Sequence, residues 1–144
     1  LKLLCKSASI PGVLLNTTVI PAFGYGPNIN RPTQATFNDV NLVMYVDSDL
    51  NIYNGFKEWV DKASNFTAGS SGNRFQFSFA EDYTSPVDIT KYDENGKKIY
   101  RVTLQDAFPV NIGEINLDWD DRDSVNTLAV SMAYTTFEIE INPE

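Results

Sequence analysis

The chain has 144 residues, of which 42% are hydrophobic and 12% aromatic. This length and composition fit one globular domain with its own core and exclude a disordered chain. The net charge of −8 argues against a nucleic-acid-binding protein, because such a protein needs a basic face to displace counterions from phosphates.

The sequence shows no sign of export or membrane insertion. Cys5 is the only cysteine, so a disulfide within the chain is impossible. No apolar run approaches the roughly 20 residues of a membrane-spanning helix, and no signal-peptide pattern is present. The chain begins at Leu1, in a stretch that already predicts a strand. We therefore expect a single domain over residues 1–144 that lacks its N-terminal residues.

Strands dominate the first third of the chain. Residues 1–7 and 13–20 are extended and apolar. Residues 21–33 (PAFGYGPNINRPT) are rich in turn-forming Pro, Gly and Asn, and predict either a long hairpin arm or an irregular loop. Residues 37–46 predict a strand that is apolar on both faces. This pattern indicates burial on both sides, or one face reserved for a partner.

One helix is predicted after Asp47-Ser48-Asp49, which offers several N-cap side chains. Its apolar residues recur at helical spacing and form one stripe. They are Ile52, Phe56, Trp59, Val60 and Ala63. We expect this stripe to pack against the core of a sheet.

Further strands follow the helix. Residues 75–79 alternate phenylalanine with polar residues and predict a strand with one aromatic face. Residues 87–92 and 98–104 flank Asn95-Gly96, a strong hairpin signal because both residues tolerate positive φ.

The C-terminal part predicts a second antiparallel pair, residues 112–119 and 127–141, around the acidic turn 120–126. The predicted fold is mainly β: two packed antiparallel sheets, forming a sandwich or partly closed barrel, with one flanking α-helix.

Motifs that could carry chemistry are scarce. The chain has no histidine, which removes the commonest general base, triad member and zinc ligand. Cys5 therefore has no imidazole to activate it, and its strand position predicts a buried thiol. Neither glycine-rich phosphate-binding motif is present. We predict no catalytic residue and no cofactor.

An acidic cluster precedes the last predicted strand: Asp118, Asp120, Asp121 and Asp123. A calcium loop would need a glycine at its turn and a closing glutamate, and Arg122 stands at a ligand position. Glu138 and Glu140 alternate with apolar residues, which is typical of the exposed face of a strand and not of a glycosidase pair. We therefore predict no metal site.

Several tyrosines keep one different class of function open. Tyr25, Tyr45, Tyr83 and Tyr92 could stack on a sugar, although single tyrosines in strands usually pack across the sheet. A carbohydrate-binding, adhesive β-sandwich is therefore an alternative.

Three segments together resemble a known family. They are residues 4–11 (LCKSASIP), residues 36–63 with FNDV and FKEWVD, and residues 108–120 (FPVNIGEINLDWD). In this order they resemble the major tail tube protein of contractile-tailed bacteriophages.

The resemblance implies a structural protein whose hexameric rings join their inner sheets into a β-barrel and stack into a tube. DNA would pass through the lumen without specific binding. The implied partners are other copies of the chain, the tail sheath and baseplate proteins. The implied location is the virion tail, after assembly in the host cytoplasm. A tube-initiator or baseplate-junction protein, or a type VI secretion tube protein, is the alternative within this class.

Two groups of residues are candidates for assembly contacts. Strand 127–135 has a small, mildly polar face that suits a channel lining, and two acids are expected to face the same lumen. The lumen-facing candidates are Glu114, Asp118, Ala129, Ser131 and Ala133. The segment 21–33 is expected to join stacked rings. Its candidates are Phe23, Tyr25, Asn28, Ile29 and the Arg31-Pro32 pair.

Overall fold

The computed structural model describes residues 5–21, 24, 26–64, 78–117 and 125–143. Its strands are β1 (Cys5–Ala8), β2 (Val13–Ile20), β3 (Ile29–Phe37), β4 (Val40–Tyr45), β5 (Ser85–Tyr92), β6 (Lys98–Ile112), β7 (Thr127–Ala133) and β8 (Thr136–Ile141). Its helices are α1 (Asn51–Ala63) and α2 (Ala80–Tyr83). Within these residues, no helix has the length and apolar character needed to cross a membrane.

Six strands form one antiparallel sheet that curls into two layers because both layers share β6. The start of β6 pairs with β5 and β8, and residues 108–112 pair with β7. Asp106 lies between these parts with a φ of 52°, a left-handed value that Asp tolerates better than most residues. The first layer is therefore β1, β4, β7 and the end of β6. The second layer is β5, the start of β6 and β8.

The core lies between the two layers. The register pairs Leu42 with Val130 and Met44 with Leu128, so alternate residues of β4 and β7 point to the same side. The buried residues are Val40, Leu42, Met44, Phe56, Val102, Leu104, Ala107, Leu128, Val130 and Met132. A cavity of about 400 Å³ between β1, β4 and β5 leaves one seam of the barrel open. The predicted mainly β fold with a partly closed barrel is confirmed.

The predicted helix is confirmed as α1. Phe56 is buried in the core, with Ile52 and Trp59 packed against it. The indole N–H of Trp59 donates a hydrogen bond to the carbonyl of Tyr83 in α2, a short helix that the sequence did not predict. The N-cap residue of α1 is Leu50 with a φ of 54° and no side-chain cap, so none of the expected cap residues caps the helix.

Strand 37–46 is shorter than expected. Strand β3 ends at Phe37, residues 38–39 belong to no strand, and β4 begins at Val40. Only one face of β4 is buried, since Tyr45 on the other face is 42% exposed. Cys5 is also exposed, contrary to expectation, because β1 is an edge strand.

The predicted C-terminal pair is wrong in its boundaries. Strand β6 already ends at Ile112, and residues 113–117 form no strand. The run 127–141 is two strands, broken at residues 134–135, because the chain crosses there from the first layer to the second. Phe79 precedes α2 and is 84% exposed, whereas Phe75 and Phe77 lie outside the described residues.

A close backbone contact requires Gly113, and this gives a first prediction. Its N–H donates to the carbonyl of Ala129 at 2.7 Å, and a Cβ on Gly113 would lie 2.9 Å from that oxygen. We expect Gly113→Ala to lower the free energy of unfolding by about 1–3 kcal/mol. Gly55→Ala is the control, because nothing lies within 4 Å of its added Cβ and alanine favours a helix by up to about 1 kcal/mol. Thermal unfolding of both variants tests this, and equal stabilities would contradict it.

Candidate assembly surfaces

Strands β2 and β3 form a separate two-stranded sheet, called here the arm (residues 13–37). At its base the N–H of Asn38 donates to the carbonyl of Gly12 at 3.3 Å. Every residue of β2 is exposed, and so is every residue of β3 except Phe37. A lone two-stranded hairpin is only marginally stable in water. An arm of this kind is typical of an element that packs against a partner. Of the two alternatives for residues 21–33, the hairpin arm is correct for residues 29–33, which lie in β3.

Both faces of the arm expose large apolar side chains. Val13, Leu15 and Val19 alternate along one face, and the other face carries Leu14 and Ile20. The register places Ile29 and Arg31 on this second face, opposite Ile20 and Thr18. The six large apolar residues are 39% to 58% exposed, and contiguous exposed apolar surface marks an interaction site.

The base of the arm is fixed to the body by an aromatic cluster. The centroid of the Phe37 ring lies 6.0 Å from the centroid of the Tyr134 ring and 5.6 Å from that of the Phe137 ring. The hydroxyl of Tyr134 donates to the carbonyl of Asn38 at 2.8 Å. Burial, and secondarily the charge of Asp39, raises the pKa of Tyr134, which keeps this hydroxyl a neutral donor. The arm therefore has an anchored base and two unpacked strands.

The outward face of the first layer is uncharged along its two central strands, and its side chains on β7 are small. The side chains of β4 and β7 on this face are Asn41, Val43, Tyr45, Thr127, Ala129, Ser131 and Ala133. The hydroxyl of Ser131 donates to Oδ1 of Asn41 at 2.7 Å. This pairing presents hydrogen-bonding groups without a formal charge.

The described lumen candidates lie in two places. Ala129, Ser131 and Ala133 share the outward face of the first layer. Glu114 is exposed just beyond the end of β6, and Asp118 lies outside the described residues.

Among the arm candidates, Phe23 and Tyr25 lie outside the described residues. Asn28 is exposed beside the start of β3, which Ile29 begins. Arg31 and Pro32 lie within β3, opposite Thr18 and Thr17 of β2.

Two features of these surfaces were not predicted. The first is that β2 forms half of the arm; its signal is an apolar run at Val13, Leu14 and Leu15 directly before a turn-rich segment. The second is the contact of Asn41 with Ser131, which the sequence does not signal because ninety positions separate the two residues.

Within the described part of the chain, no group of three or more metal-ligating residues comes together. Glu140 forms an ion pair with Arg101 at 3.6 Å on the solvent side of the second layer. Tyr45 lies on β4, Tyr83 in α2 and Tyr92 at the end of β5, so the three tyrosines come from three different elements.

The first layer has two edges that could pair further. Within the described residues, β1 pairs on one side only, with β4, and residues 108–112 of β6 pair only with β7. All four strands are antiparallel to their neighbours, so the two edges run in opposite directions. A cavity of about 360 Å³ lies beside the β6 edge, lined by Val60, Tyr83 and Val110 among others.

Comparison with known proteins shows the relatives of this chain. Residues 1–140 match the family described as phage tail tube protein. The chain is 24% identical over 135 residues to tail tube protein gp19 of Enterobacteria phage T6, covering 93% of this chain and 78% of that protein. It is 23% identical, with the same coverage, to tail tube protein gp19 of Enterobacteria phage T4.

Solved structures share the fold. A chain of the anti-feeding prophage cap superimposes with a TM-score of 0.68 at 17% identity, covering 95% of this chain and 80% of that one. A chain of the PVC sheath–tube complex, from an extracellular contractile injection system in its extended state, gives 0.67 at 14% identity with the same coverage.

Proposed function

We propose a function from one premise: the chain belongs to the phage tail tube protein family and is a structural tail tube subunit. Its copies close into hexameric rings, and the rings stack into a tube that conducts DNA. These matches favour a tube subunit over the initiator, secretion-tube and carbohydrate-binding alternatives. The resemblance to tail tube proteins is what supports the hexameric number.

The observation that carries ring closure is that the two outer strands of the first layer each pair on one side only within the described residues. Because its four strands alternate in direction, β1 of one copy would meet residues 108–112 of the next copy as an antiparallel neighbour. Repetition of this head-to-tail contact closes a ring when the rotation permits, and a closed ring removes both edges. The first layers would then form one continuous barrel.

The outward face of the first layer supports DNA passage. In the closed barrel we assign Ala129, Ser131 and Ala133 to the bore. Their small, uncharged side chains offer no cation to hold a phosphate. Glu114 and Asp118 would add negative charge at one end of the bore, and the repulsion acts within about 8 Å at physiological salt.

The arm supports stacking of the rings. Its two unpacked strands leave large apolar side chains in water, and contact with a copy in the next ring would bury them. We assign Asn28, Ile29, Arg31 and Pro32 to this contact, together with the predicted residues Phe23 and Tyr25.

The family also bears on location and partners. Its members support a location in the virion tail and assembly with other tail components. We propose that the sheath and baseplate proteins are these components and that assembly takes place in the host cytoplasm.

Ring closure is tested at the free edge of β6. Val110 is 47% exposed on this edge, so Val110→Asp would place a charge in the subunit contact without entering the core. We expect monomers in place of rings, measured by light scattering and negative-stain microscopy. Tyr92→Asp is the control, because Tyr92 is 56% exposed at the end of β5, away from both edges. Rings formed by Val110→Asp as readily as by the control would contradict edge pairing.

A further inference from the structure

The first layer has two chemically different ends. At the arm end lie Ala8, Val40 and Ala133, next to the base of the arm. At the opposite end, called here the loop end, the chain leaves the sheet in residues 46–50, 113–117 and 125–126. The N–H of Val46 donates to the carbonyl of Asn126 at 3.0 Å, which holds two of these segments together.

The loop end is both acidic and apolar. Asp47, Asp49 and Glu114 are exposed there, and these segments contain no lysine or arginine. Leu117 is 78% exposed and Val125 is 65% exposed. Exposed apolar side chains beside acids, in segments that themselves contain no base, describe a surface that fits an apolar, cationic partner.

The arm has the complementary chemistry. Arg31 is the only charged residue between positions 13 and 37, so the arm carries +1 and the rest of the chain −9 of the net charge of −8. Arg31 shares its face with Leu14, Ile20 and Ile29. This face therefore offers one cation surrounded by apolar groups.

We propose that the Arg31 face of the arm docks on the loop end of a second copy, in the adjacent ring. This rests on the proposed stacking function and names the surface that receives the arm. Contact between opposite ends of identical subunits repeats without limit, which is the geometry that an extended tube needs.

The dimensions of the arm permit this contact. Its eight-residue strand spans about 26 Å, against about 20 Å for the six residues of β4. The arm is thus longer than the first layer is high. It can reach across a ring boundary to the loop end of the next copy.

A charge exchange tests the pairing. We expect Arg31→Glu to raise the protein concentration needed for tube assembly about tenfold, because it sets like charges against each other. Combining it with Asp49→Arg should restore most of the loss. The matched control is Arg31→Glu with Glu94→Arg, which makes the same charge change in the β5–β6 turn. Sedimentation of tubes and microscopy of rings are measured together for each variant.

A second variant tests the apolar part of the surface. Leu117→Asn, which changes no charge, should reduce tube assembly about as strongly as Arg31→Glu, with rings retained. If removal of the arm stops stacking but Leu117→Asn and the Asp49 exchange have no effect, the arm docks elsewhere and this inference is wrong. If removal of the arm leaves tubes intact, the stacking role of the arm itself is wrong.

Discussion

Replacing residues 14–36 by a two-residue Asn-Gly turn is expected to abolish tubes and to leave rings. The described residues of the arm contribute nothing to the buried core, so its removal should not unfold the subunit. Val13 and Phe37, which are opposite each other at its base, stay in place, and with them the contacts of Phe37 with Tyr134 and Phe137. What is lost is the exposed apolar surface that we assign to the contact between rings.

Microscopy and light scattering measure this outcome, with thermal unfolding as the check on the fold. The melting temperature should change by less than about 4 °C, the shift that about 1 kcal/mol gives in a domain of this size. A matched control is Leu14→Ala on an arm of full length, which removes one side chain of the Arg31 face and should weaken stacking only in part. Tubes of normal length without the arm would refute its assignment.

Ser131→Lys is expected to make the assembled tube retain DNA. Ser131 lies on the uncharged outward face of β7, beside Asn41, so the substitution repeats a cation around the proposed bore. Neutralising phosphates releases counterions, and we expect short double-stranded DNA to bind at least about tenfold more tightly at low salt. The effect should fall as the salt concentration rises.

Protection from nuclease identifies the face that holds the DNA. Bound DNA should be protected in Ser131→Lys tubes, because it lies inside. Ser131→Gln is the neutral control of similar length and should bind no more than the unchanged protein. Thr136→Lys places the cation on the solvent side of the second layer, where bound DNA should be digested. Protection by Thr136→Lys and not by Ser131→Lys would invert the assignment of the bore.

Local sequence pattern was sufficient for much of the fold. The helical spacing of Ile52, Phe56 and Trp59 predicted α1, because a helix that flanks a sheet needs one apolar stripe. Asn95-Gly96 predicted the β5–β6 hairpin, where Gly96 has a φ of 76°. Alternation along β7 separates the small face predicted for the lumen from Leu128, Val130 and Met132, and the structure buries these three.

Contacts between distant segments could not be predicted in this way. The division of residues 127–141 depends on a crossing between layers, which alternation alone does not reveal because both strands have the same period. The bend of β6 at Asp106 likewise depends on two different sets of neighbours.

The sequence by itself determined the class of the fold, its helix, the β5–β6 hairpin and the family resemblance, because these depend on local periodicity, turn chemistry and motif order. Only the tertiary structure decided that β2 and β3 stand apart as an exposed arm and that the first layer ends in two antiparallel edges. Exposure and pairing depend on which segments meet, and that is a property of the whole chain.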